Sequence, residues 1–159
     1  MTTEYVSMLS QSLEKKKQYL RLLLVRCKEQ TAILQDNFST PEQLDDNIAQ
    51  KGELIDDINI LDDGFEQLFA RVKDELENNK EKYALEIAVM QGLIRDITDL
   101  TADIEATERR NKEYATARFS NLRKEAKEIR KSSNAVSAYY KNAMAKVQVD
   151  GPQFYDSKK

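Results

Sequence analysis

Asp36-Asn37-Phe38-Ser39-Thr40-Pro41-Glu42-Gln43 interrupts a chain of 159 residues that otherwise reads as helix. Thr40 as N-cap, Pro41 at the first helical position and Gln43 three residues after the cap spell a capping-box start. A helix restarts here, so the preceding one must turn back. Upstream, Val6, Leu9, Leu13, Leu20, Leu23, Cys27 and Leu34 form a heptad seam interrupted by Lys16 and Gln30. Downstream, the apolar positions run Leu44, Ile48, Leu54 or Ile55, Ile58, Leu61, Phe65, Leu68, Val72 and Leu76. Two long helices joined by a tight turn predict an antiparallel hairpin.

A second break is weaker. Asn78-Asn79 is the plausible point, because Asn competes with helical backbone bonding and tolerates a left-handed cap. The pattern resumes at Tyr83, Ile87, Met90, Ile94, Ile97, Leu100 and Ile104. An unbroken helix from 41 to about 147 is the competing arrangement. Gly52, Gly64 and Gly92 lie inside helical pattern without a neighbouring breaker, as tolerated glycines or close-packing points. Gly151-Pro152 is a stop signal. The expectation is an all-α fold, an antiparallel hairpin plus a long third helix in a three-helix bundle or coiled coil. Helices are placed at about 3–35, 41–77 and 81–147, in one domain spanning 1–148, with a short flexible tail at 149–159.

Composition agrees. One third of the residues are charged, and Gly and Pro together number six, the profile of long helices. The net charge of −3 is unevenly spread, with +3 in 1–35, −10 in 36–77, −4 in 78–108, +6 in 109–131 and +2 in 132–159. Neighbouring helices of opposite sign attract, which favours one intramolecular order.

The third helix carries a stripe at alternating steps of four and three: Ala115, Phe119, Leu122, Ala126, Ile129, Ser133, Val136, Tyr140, Ala143 and Val147. Such steps place side chains on one helix face, and this face needs a partner helix. A first helix of about 32 residues spans about 48 Å, and a third of about 67 residues spans about 100 Å. The part beyond about residue 115 should then project with its stripe uncovered.

Catalytic and metal chemistry is absent from the pattern. There are no histidines, and a lone Cys27 on a core seam reads as a small buried hydrophobe. Asp56 to Gly64 resembles a calcium loop but fails it, since Leu61 takes an oxygen-ligand position and the glycine comes too late. No Gly-rich phosphate loop or nucleophile elbow occurs, so no enzyme, cofactor or metal site is expected. The basic stretch Arg109, Arg110, Lys112, Arg118, Arg123, Lys124, Lys127, Arg130 and Lys131 is interleaved with Glu113, Glu125 and Glu128, a solvated face rather than a nucleic-acid surface. MTTEYVSMLS has no signal-peptide character, and no apolar run is long enough to cross a bilayer. A cytoplasmic location without membrane insertion is expected.

Several segments together resemble one family. The first helix, the Thr40-Pro41 restart, Lys51-Gly52-Glu53-Leu54-Ile55 and Leu61-Asp62-Asp63-Gly64-Phe65-Glu66 look like the first two helices of FlgN-type flagellar export chaperones. Leu100 to Tyr140, with Asn111 and then Tyr139-Tyr140, also fits, although the family often shows an Asn pair where only Asn111 stands. The end, Asp150 to Lys159, looks like the tail of such proteins from Gram-positive bacteria. The resemblance implies a chaperone of flagellar type III secretion that holds hook–filament junction proteins by their C-terminal helical segments before export. It further implies that the client packs on the last helix, and that a tyrosine near its end docks the unloaded chaperone on an export-gate component. The matching candidates for that tyrosine are Tyr139 and Tyr140. The stripe supplies the client-facing candidates Phe119, Leu122, Ala126, Ile129, Val136 and Tyr140. The alternative reading is a structural coiled coil whose 115–147 stripe pairs with a second copy as a homodimer.

Overall fold

The computed structural model describes the backbone of residues 2–132 and side chains through Glu128. It contains three helices, α1 (Thr2–Gln35), α2 (Pro41–Asn78) and α3 (Ala84–Ser132), and no strand among the described residues. The all-α expectation holds, and the second turn falls at 79–83, so α2 and α3 are separate helices. The expected end of the third helix at 147 and the tail at 149–159 lie outside the described residues. Among the described residues no helix is long and apolar enough to cross a membrane.

The first turn forms by the chemistry written in its sequence. The Thr40 amide donates to Gln43 Oε1 at 2.9 Å, and the Gln43 amide donates to Thr40 Oγ1 at 3.3 Å. Two of the orphan donors that begin every helix are thereby satisfied reciprocally. The Phe38 amide donates to Asp36 Oδ1 at 2.9 Å, an Asx turn that reverses the chain just past α1.

The second turn departs from expectation in its conformation. No non-glycine residue among those described has a positive φ, so Asn79 does not serve as a left-handed cap. Its side chain instead donates to the Glu75 carbonyl at 2.9 Å, and the Tyr83 amide closes on the Asn79 carbonyl at 3.2 Å. Tyr83, only 3 % exposed, fastens the turn into apolar packing.

The described chain packs as two compact units. The first comprises Met1–Arg26 and Gln50–Ala106, with a core of Val6, Leu9, Leu13, Val72, Leu76, Tyr83, Met90 and Leu93. Tyr5, Phe65, Leu68, Ile87 and Ile97 pack against it. Lys16, which broke the heptad seam, reaches Asp62 on α2 at 2.7 Å, and Lys17 reaches Asp96 on α3 at 2.8 Å. Hydrogen bonding and charge from Lys17 hold the Asp96 carboxyl below its ordinary value of 3.8.

The second unit comprises, among the described residues, Cys27–Ala49 and the part of α3 from Thr107 to Ser132. Its apolar cluster is small, with Leu34, Leu44 and Ala115 buried and Ile33, Ile48, Tyr114 and Phe119 around them. Polar contacts share its interior. Asn111, fully buried on α3, donates through Nδ2 to the Cys27 carbonyl at 2.9 Å and to Gln30 Oε1 at 3.2 Å. Thr31 donates its hydroxyl to Asn111 Oδ1 at 2.5 Å. Gln30 therefore interrupts the apolar seam because it faces Asn111.

Polar pairs join the three helices within each unit. In the first, Lys16–Asp62 joins α1 to α2 and Lys17–Asp96 joins α1 to α3. In the second, Asn47 donates to Glu29 between α2 and α1, while Cys27–Glu108 and Thr31–Asn111 join α1 to α3. Within the second unit, Leu34 clusters with Leu44 and Glu29 pairs with Asn47, so numbers fall on α1 as they rise on α2. The α1–α3 pairs Cys27–Glu108, Gln30–Asn111 and Thr31–Asn111 keep separations of 81, 81 and 80 residues. The first relation marks antiparallel helices and the second parallel ones.

The interior glycines are tolerated and are not close-packing points. A Cβ built on Gly52 or Gly64 meets nothing within 4 Å. Gly52→Ala and Gly64→Ala should each therefore stabilise the fold by up to about 1 kcal/mol, through helix propensity and a less flexible unfolded chain. A urea midpoint that rises at unchanged slope checks this, and a fall would show hidden crowding.

Candidate functional site

The stripe of α3 begins inside the second unit. Ala115 is 3 % exposed and Phe119 is half-buried against the cluster of Leu34 and Leu44, so α1 and α2 cover the stripe at least as far as Phe119, past the limit set by length alone. The next stripe residue differs, since Leu122 is 40 % exposed. Ala126 is buried, at 3 % exposure. The side chain of Ile129 lies outside the described residues, as do Val136, Tyr139 and Tyr140. Of the six client-facing candidates, the structure thus brings Phe119, Leu122 and Ala126 onto one described helix face, and only Leu122 presents substantial area.

Leu122 lies on the wall of a cleft of about 750 Å³. One side is the end of α1 and the first turn, through Leu34, Gln35 and Asn37. The other is α3, including Tyr114, Arg118, Asn121, Glu125 and Glu128. The lining mixes the apolar Leu34, Ala117 and Leu122 with charged and amide side chains, a mixture suited to an amphipathic segment rather than to a small apolar ligand. Phe38, 93 % exposed, stands in the same turn.

Arg118 holds this arrangement in place, a task the sequence reading did not assign to it. Its guanidinium donates through Nη1 to the Ile33 carbonyl at 2.8 Å and to Ser39 Oγ at 2.6 Å. Nη2 donates to the Ser39 carbonyl at 3.0 Å. The Ile33 carbonyl belongs to the last turn of α1, where acceptors lack intrahelical partners and a cation is favoured by the helix dipole. Ser39 adds to the same point, its hydroxyl 2.6 Å from the Ile33 carbonyl oxygen. The planar fork of arginine spans acceptors that a lysine would reach one at a time.

Among the described residues no group of three or more acids or thiols could hold a metal ion. The acidic run Asp56 to Gly64 is continuous helix, with Asp62 engaged by Lys16. Cys27 is buried and its thiol donates to Glu108 Oε1 at 3.2 Å, so it packs as a small core residue whose sulfur meets a carboxylate.

Neither a curated protein nor a solved structure matches the chain. A family model described as FlgN protein matches residues 1–146, nearly its full length. The chain belongs to the FlgN family, a family of flagellar export chaperones.

Proposed function

We propose that this protein captures the C-terminal helical segments of hook–filament junction proteins in the cytoplasm and keeps them ready for export. The observation that carries the reading is Leu122, an exposed apolar residue on the family-matched third helix beside a cleft of about 750 Å³. A client helix seated there would cover Leu122 and the rim at Phe119 while its polar side remained in water. Ile129, Val136 and Tyr140 continue the same sequence stripe and are proposed to extend the contact. Tyr139 or Tyr140 is proposed to engage the export gate once the client has left. No catalytic step, cofactor or metal ion enters this scheme.

The test is a titration of a junction protein's C-terminal segment against the full chain. Leu122→Asp should weaken binding by about tenfold or more, the scale of losing one central apolar anchor, with helicity unchanged by circular dichroism. Unchanged affinity in a folded Leu122→Asp protein removes the proposal. Light scattering of the wild type at tens of micromolar should give a monomer. A dimer that the same substitution dissolves would instead assign the face to a second copy.

A further inference from the structure

The charges beside Leu122 are not distributed evenly around the helix. Successive residues are about 100° apart on an α-helix, so Arg123 and Lys127 fall on one flank of Leu122. Both are exposed. The same flank carries Arg109, Lys112, Thr116 and Ser120 farther back, with Glu113 at its outer limit, two turns behind Ser120, as the one carboxylate near it from 109 to 128. Glu125 and Glu128 lie on the other flank, where they line the cleft together with Arg118 and Lys124. Next to Leu122, one edge of the face therefore carries only the cations Arg123 and Lys127, while the other is mixed.

From this asymmetry we propose that the segment docking on Leu122 is an amphipathic helix with a row of carboxylates along one edge, seated so that the row meets Arg123 and Lys127. The inference deepens the capture reading above and rests on it. A helix offers side chains in rows three and four residues apart, so a carboxylate row at that spacing matches cations at 123 and 127. Charge pairs at an interface rim select the partner and fix its orientation more than they add affinity. The row thus dictates which way the captured helix lies. A phosphate polymer matches less well, because Glu125 and Glu128 sit within one turn of the cations and repel it.

Three synthetic peptides of about 20 residues test the inference, sharing one Leu/Ile stripe and carrying Glu, Gln or Lys along a single edge. Titrated against the full chain at low salt, the Glu peptide should bind tightest and the Lys peptide weakest. The extremes should differ by about tenfold, the scale of two or three exposed pairs turned from attraction to repulsion. The gap should shrink as salt rises. Arg123→Glu combined with Lys127→Glu should invert the order, and Arg123→Gln with Lys127→Gln should abolish it. Equal binding of all three, still weakened by Leu122→Asp, overturns the edge preference and leaves capture on this face standing. No binding by any peptide overturns both. Tighter binding of a single-stranded oligonucleotide than of the Glu peptide assigns the row to phosphate and overturns the inference.

Discussion

Asn111→Ala should lower the stability of the second unit by about 2–3 kcal/mol, more than its modest volume loss would suggest. The amide of Asn111 donates to the Cys27 carbonyl and Gln30 Oε1 and accepts from the Thr31 hydroxyl, all where its own exposure is nil. Removing one member of a buried polar set costs the desolvation of the partners left behind. Asn111→Asp should be worse, since it places a carboxylate where none of its surface reaches water, one turn from Glu108. Removing Asn111 together with Gln30 is a different matter, because the Thr31 hydroxyl left behind still reaches the Cys27 carbonyl at 3.2 Å. Asn111→Leu with Gln30→Leu replaces paired polar groups by apolar ones of similar size, so the double variant should recover most of the single variant's loss. The cost should appear as lost uniqueness, because a buried Asn specifies which residues of neighbouring helices meet. Urea unfolding of the two single variants and the double variant gives the coupling energy. Broadened amide resonances in the double variant would report alternative registers. A loss below about 0.5 kcal/mol for Asn111→Ala would sink this account, because surface substitutions fall in that range.

The fold was legible wherever the sequence carried local chemistry. Thr40, Pro41 and Gln43 encode their turn directly, since the capping contacts are made among themselves. The second turn was legible in position but not in form. Asn79 can satisfy the helix end by a left-handed backbone or by bonding its side chain to Glu75, and only the packing of Tyr83 selects the second. Gln30 and Lys16 looked like defects in an apolar seam because their partners, Asn111 and Asp62, stand 81 and 46 residues away. A periodic pattern records which face a residue occupies and not what lies opposite.

The candidate face was legible to a lesser degree. Its stripe, and the basic character of its surroundings, are visible in the sequence. Counting charges could not separate Arg118, which bonds to the first turn, from Arg123 and Lys127, which remain exposed. A signal did exist, for Arg118 lies close to the position on α3 that the parallel register with α1 brings opposite the end of that helix. Using it required the register, which came from the structure. Leu122 likewise stands out within the stripe only once Ala115 and Ala126 are known to be buried.

Arg118→Ala should cost about 2 kcal/mol and should weaken client capture without touching the client-facing stripe. The guanidinium meets three acceptors on one turn, and hydrogen bonds from a charged donor contribute about 1.5–3 kcal/mol where they are partly buried. The upper end does not apply, because Arg118 is only half-buried and water can replace part of the loss. Arg118→Lys should recover less than half of it, since an ammonium cannot bridge the Ile33 and Ser39 carbonyls in one plane. The local consequence is a looser first turn. Amide exchange at Ser39, whose N–H is bonded to the Asp36 carbonyl at 3.2 Å, should accelerate in Arg118→Ala. Leu34, Gln35 and Asn37 form the cleft wall opposite Leu122, so a looser turn leaves that wall less defined. The captured helix must then pay for ordering that wall, and its affinity should fall by several-fold with Leu122 unchanged. Faster exchange at Ser39 with undiminished client affinity would show that the turn is structural scaffolding alone and that capture depends only on α3.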